Sequence, residues 1–263
     1  TYANAVFDNY ESMNSLSLIL GAIYFAFQIY GDFSGYSDIA LGTSKLFGID
    51  LLKNFNYPYF SRDIAEFWRR WHISLSSWFR DYLYIPLGGS QGGMWMKVRN
   101  TFIIFLVSGF WHGANWTFII WGLLNAIYFL PLLLQNKNRS NMGEIEMGWD
   151  LNSVKTILNI LGTFALTTIA WIFFRAKSIS EAIGYIQKMV TDFHFESQYL
   201  SNERYNYELL LLVLVFIGVE WFNRSKVEPL SGKASWVKVT LAIMALLALG
   251  VYSDYKEFIY FQF

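Results

Sequence analysis

Apolar positions along this 263-residue chain are gathered into long runs, with the polar positions collected between them. A helix that crosses a bilayer needs roughly 20 mostly apolar residues. Ser12–Gly31 and Thr156–Phe174 each satisfy that without an internal charge, and Arg175 and Lys177 close the second. Thr101–Leu134 is longer and contains no Asp, Glu, Lys or Arg. As one straight helix it would extend about 51 Å at 1.5 Å per residue. The pattern therefore predicts a steep tilt or a break near Gly109/Gly113 or Pro131. Leu209–Phe222 and Val239–Tyr252 fall short of a full crossing and read as shorter spans extended by Tyr and Trp anchors.

Between the first two spans the pattern changes. Asp38–Asn100 carries eight of the chain's 20 basic residues, and the positive-inside bias turns it towards the cytoplasm. Within it, DIAEFWRRWHISLSSWFRDYLY has helical periodicity, opened by a capping box of Asp63 and Glu66. Trp68, Trp71, His72, Leu75, Phe79 and Tyr82 form one face, and Arg70, Ser74, Ser77 and Asp81 another. Such a helix is expected to lie in the interface or re-enter the bundle. Ser178-x-x-Glu181 opens a second amphipathic helix, with Ala182, Ile183, Ile186, Met189 and Val190 on its apolar side. The fold class that follows is all-α: a multi-pass membrane bundle with re-entrant or interfacial helices, residues 1–263 forming one membrane domain. No internal repeat occurs.

Composition agrees. Hydrophobic residues make up 54 %, aromatic residues 20 % and charged residues 15 %, with a mean hydropathy of +0.30. Soluble domains carry about a quarter charged residues, so lipid is the expected surrounding. Equal numbers of acidic and basic residues give no pointer to nucleic acid, and with no Cys there is no disulfide framework or thiolate nucleophile. The chain opens on Thr1 without a signal-peptide pattern, and reads as a piece of a longer protein missing N-terminal spans.

The candidate chemistry centres on SGFWHGANW, residues 108 to 116. Ionisable residues at membrane depth are rare and tend to mark sites or pathways. Were Phe110–Trp116 helical, Ser108, His112 and Asn115 would share a face, while Gly109 and Gly113 would let another backbone approach. A desolvated imidazole at that depth is expected to be neutral, as suits a general base; packing against a neighbouring helix is the plainer alternative. His72 supplies a second inward imidazole, on the tryptophan-bearing face with Trp68 and Trp71. Two imidazoles with no carboxylate beside them do not suggest a metal site, since zinc takes three protein ligands or more. YGDFSGYSD, with Asp32, reads either as a turn at the membrane surface or as a substrate contact. LGGSQGG lacks the Gly-Lys-Ser/Thr ending of a phosphate loop and reads as a hinge. Arg69, Arg70 and Arg80 could hold donor phosphates or simply face solvent and headgroups.

EFWRRWHISLSSWFRDYLYIPLGG followed by SGFWHGANW resembles the membrane-bound O-acyltransferase family in its alginate O-acetyltransferase branch. The similarity runs from YGDFSGYSDIALG through WIFFRA to the closing FIYFQF. The resemblance implies a helical membrane bundle with a central tunnel, His112 as the catalytic residue and His72 as its upstream polar partner. It also implies transfer of an acyl group from a thioester donor such as acetyl-CoA, with no bound cofactor, to the hydroxyl of a cell-surface polysaccharide. The expected setting is the bacterial cytoplasmic membrane, with an SGNH-type extracytoplasmic acetyltransferase as partner. D-alanyl transfer to teichoic acid from a carrier protein is the alternative within the family, and a non-enzymatic transport subunit the alternative outside it.

Overall fold

The computed structural model describes residues 2–145, 151–194, 205–226, 229–230, 232 and 235–250. Among these there are ten α-helices and no strand. The expected FIYFQF segment and the last residues of the Val239–Tyr252 span lie outside the described residues.

After a short α1 (Tyr2–Asp8), Asn14 caps α2 (Ser15–Leu46), its side chain accepting from Ser17 N at 3.0 Å. The sequence suggested a turn at Ser34-Gly35, yet α2 continues unbroken for 32 residues, about 48 Å. An isolated helical glycine costs only about 1 kcal/mol, and Phe25, Ile29 and Tyr30 bury the helix against its neighbours. The far end emerges from the core, with Ile39 and Leu46 exposed.

The expected single amphipathic helix is two. Asp63 does cap α3 (Ile64–Arg70), accepting from Glu66 N at 2.7 Å, but Glu66 reaches Arg62 N rather than closing the box on Asp63. The helix then stops at Trp71, and α4 (Ile73–Phe79) restarts after His72, followed by a π-helical turn over Arg80–Tyr84.

Thr101–Leu134 breaks at Gly113. α5 (Gly93–His112) and α6 (Trp116–Leu134) fold back on each other as an antiparallel hairpin, and Pro131 is accommodated in the last turn of α6. Close backbone contact explains the glycines. A Cβ on Gly109 would collide with the Phe118 carbonyl oxygen, one on Gly122 with that of Phe105, and one on Gly113 would come within 2.8 Å of the Phe118 ring.

The remaining described helices are α7 (Leu151–Arg175), α8 (Ile179–Thr191), α9 (Tyr205–Asn223) and α10 (Ser235–Leu249). Among the described residues, three helices are long and apolar enough to cross a membrane: Ser15–Leu46, Trp116–Leu134 and Asn152–Arg175, with Leu209–Asn223 and Ser235–Ala248 shorter but apolar. Ser178 caps α8 as its sequence foretold. The buried side of α8 differs, however: Ala182 and Tyr185 are buried whereas Ile183 and Val190 are exposed. Tyr185 turns inward because its hydroxyl donates to Leu18 O at 2.6 Å and its ring stacks on Phe7.

Gly122→Ala is expected to destabilise by about 1–3 kcal/mol or more, as overpacking does. Gly162→Ala in α7, where a Cβ meets nothing within 4 Å, should be neutral or slightly stabilising. Thermal unfolding of the two variants in detergent checks the contrast.

Candidate active site

His72 owes its position to the joint between α3 and α4. It adopts the left-handed region, φ 44° and ψ 57°, which for a non-glycine residue costs of order 1–3 kcal/mol and persists only where surroundings enforce it. Asn54 provides the enforcement. Its carbonyl accepts from Ile73 N at 3.0 Å, and its side-chain oxygen accepts from Ser74 N at 3.1 Å and Ser74 Oγ at 2.6 Å. Nearby, Asn56 N donates to Arg70 O at 3.0 Å, so residues 54 to 56 splint both sides of the joint. The His72 ring meets Phe33 of α2 edge-on at 4.7 Å, and its two ring nitrogens are buried without a hydrogen-bond partner among the described residues.

His112 is the last residue of α5, where the hairpin turns. Aromatic edges hold its ring: Trp111 at 4.9 Å, Phe174 of α7 at 5.0 Å and Trp121 of α6 at 5.2 Å. These contacts orient the imidazole, and its nitrogens form no hydrogen bond among the described residues. Trp121 in turn stacks on Trp171 at 5.7 Å, so α6 and α7 together form the wall behind it.

Both histidines line one cavity of about 440 Å³, together with Trp68, Trp71, Ser108, Trp111, Trp121, Trp171 and Phe174. Thr101 and His112 both belong to the lining, so the cavity follows α5 for about 16 Å. At the end remote from His112 the lining becomes polar, with Arg80, Tyr84, Ser90, Asn138 and Arg139. The glycine-rich stretch after Tyr84, expected as a hinge, is tied down there: Asn100 donates to Leu87 O and Gly89 O, and Arg99 to Leu87 O.

Of the residues singled out in the sequence, the cavity thus gathers His112, His72, Trp68, Trp71, Ser108 and Arg80. It does not gather the others. Asn115 cannot share a face with His112 because α5 has ended; it caps α6, accepting from Thr117 N at 3.1 Å, and donates to Lys177 O at 3.0 Å. Arg69 is committed to the carbonyls of Asn138 and Asn141. Arg70 pairs with buried Glu66 at 2.7 Å, and Asp32 lies half-buried on α2 outside the lining. Sequence reading missed Trp121, Trp171, Phe174 and Arg139. Trp171 and Phe174 sit three apart in WIFF, a spacing that shares a helix face, but nothing local says which helix they meet.

The model of the membrane-bound O-acyltransferase family matches residues 11–167, which include both histidines and most of the cavity walls. The chain belongs to this family. Among similar proteins, this O-acyltransferase family member is 40% identical over 228 residues to a probable alginate O-acetylase AlgI of Pseudomonas aeruginosa, covering 82% of the chain and 41% of the relative. It is 35% identical over 285 residues to a peptidoglycan O-acetyltransferase of Helicobacter pylori, covering 100% of the chain and 52% of that protein. It is 43% identical over 116 residues to a teichoic acid D-alanyltransferase of Streptococcus thermophilus, covering 41% of the chain and 28% of the relative. The chain spans about half the length of the curated relatives it matches.

Asn54→Ala should loosen the His72 joint. Each hydrogen bond contributes about 1 kcal/mol, so losing the two side-chain bonds to Ser74 is expected to speed hydrogen exchange at Ser74 N by 10-fold or more, read by mass spectrometry, while amides in α7 are unchanged.

Proposed function

We propose that the protein is an O-acyltransferase that moves an acetyl group from a thioester donor towards a hydroxyl of a cell-surface polysaccharide. The observation that carries the reading is the meeting of His72 and His112, far apart in sequence, in one aromatic cavity with a cationic far end. His112 accepts the proton of the acceptor hydroxyl as that oxygen attacks the thioester carbonyl. The tetrahedral oxyanion so formed is met by an N–H of His72, a donor aimed at charge that develops only during the reaction. Collapse breaks the carbon–sulfur bond, and the His112 imidazolium returns its proton to the leaving thiolate. Aromatic walls limit the water that would otherwise hydrolyse the thioester.

The cavity's shape suits a donor that enters lengthwise. Arg139 lies at the mouth with Arg80, which pairs with exposed Asp81 at 2.7 Å and would have to exchange that partner for the phosphates of a donor such as acetyl-CoA. About 16 Å of aromatic passage leads along α5 from Thr101 to His112. The basic mouth is assigned to the cytoplasm by the positive-inside bias. His112 lies at the opposite end of α5, beside the end of α7 where Asn115 meets Lys177 O. Donor and acceptor would then approach from opposite faces of a bacterial cytoplasmic membrane, and an SGNH-type acetyltransferase on the outer face would complete delivery to the sugar. The relative named a teichoic acid D-alanyltransferase supports a second reading, D-alanyl transfer from a carrier protein.

General-base catalysis contributes on the order of 10²–10⁴-fold. His112→Ala in the full-length protein is therefore expected to lower acetyl transfer from acetyl-CoA by at least 10²-fold with insertion and unfolding temperature preserved. Near-wild-type transfer would exclude the mechanism, and activity with a D-alanyl carrier in place of acetyl-CoA would select the second reading.

A further inference from the structure

A second cavity, about 310 Å³, lies on the other side of the α3–α4 joint from the histidines. Four cations line it, Lys53, Arg70, Arg224 and Lys226, against one carboxylate, Glu144. Its volume falls at the lower end of small-molecule sites, about 300–1,000 Å³.

What distinguishes the cluster is how its cations are held. The Arg224 guanidinium lies 4.0 Å over the Trp221 ring and donates to Trp221 O at 2.7 Å and Ile145 O at 3.4 Å. Lys226 Nζ donates to Asn223 Oδ1 at 2.9 Å, and Lys53 Nζ lies 5.2 Å from the Tyr57 ring. All these anchors are uncharged. Among the described residues, Lys53, Arg224 and Lys226 form no ion pair, and Asp38 and Glu220 act on Lys53 only from longer range. Only Arg70 has a carboxylate partner, Glu66, which it shares with Arg62. Cations held mainly by uncharged groups and outnumbering the carboxylates around a concave site are suited to a multiply bonded anion, and guanidinium groups match phosphate oxygens in geometry.

We propose that this cavity binds a phosphate group, carried either by an anionic lipid headgroup or by a soluble phosphoester. Arg224, Ser225 and Lys226 of the lining directly follow the C-terminal end of apolar α9, a position that suits a headgroup phosphate beside an apolar helix, while the cavity's volume also admits a soluble phosphoester. Arg70 and Ile73 line this cavity while Trp71 and His72 line the other, so the joint is a shared wall.

The test uses the full-length protein in phosphatidylcholine nanodiscs, following thermal unfolding as inorganic phosphate is added, with equal ionic strength of chloride as control. A parallel arm compares nanodiscs containing and lacking phosphatidylglycerol. Stabilisation that saturates with phosphate assigns a soluble phosphoester; stabilisation by phosphatidylglycerol alone assigns a lipid headgroup. In either case Ser225→Glu, which adds a carboxylate at an exposed lining position, and Lys226→Gln should each weaken the response by at least 10-fold. No response of the wild type to either probe, or variants that respond like wild type, would overturn the proposal. The readout is binding to the protein itself, so it is decided separately from the acyl-transfer reading.

Discussion

The backbone-to-backbone contact between α5 and α6 is the constraint on which the site depends. Gly109 against the Phe118 carbonyl and Gly122 against the Phe105 carbonyl bring two helices closer than any side chain would allow. Apolar burial offers little drive between helices surrounded by lipid, so close packing of small residues has to hold such a pair. The hairpin that results ends α5 at His112 and places Trp121 of the returning helix against its ring. Without that contact the uncharged run from Thr101 to Leu134 would have no reason to fold at its middle.

The second histidine reaches the same cavity by a different device. The left-handed conformation of His72 is unfavourable in isolation, and the Asn54 splint offsets it with hydrogen bonds to Ile73 and Ser74. The joint divides the two cavities residue by residue: Trp71 and His72 turn to the aromatic cavity, Arg70 and Ile73 to the basic one. One irregular dipeptide in an otherwise helical segment thus does what a continuous amphipathic helix could not, because a regular face would have presented His72 and Arg70 only to a single surface each along a fixed spiral.

The spans, the caps at Asp63 and Ser178, the break near Gly113 and the inward histidines were legible because each depends on a local pattern of polarity, capping or small residues. The split of the tryptophan-bearing helix was not, since Asn54 enforces it from well upstream, beyond the reach of any periodicity around His72. Asn115 was misplaced for a related reason: extending the helix by periodicity hid its value as a cap, a role that Asn favours strongly. Arg69 and Arg70 looked like ligands for donor phosphates by composition, but the carbonyls of Asn138 and Asn141 engage Arg69, and Arg70, paired with Glu66, turns to the second cavity rather than to the histidines. The aromatic wall of Trp121, Trp171 and Phe174 is a product of α6 meeting α7, which periodicity within either helix does not specify.

The claim at the centre is that water-borne reagents can enter a cavity that reaches His112. Ser108 lines that cavity one helical turn before the histidine, and the chain has no cysteine of its own. Ser108→Cys in an otherwise cysteine-free full-length protein can therefore be challenged, in sealed vesicles, with a small methanethiosulfonate applied from each side. The account predicts modification of the folded protein, slowed by a bound acetyl thioester. A thiol that stays unmodified from both sides until the protein is unfolded would contradict it.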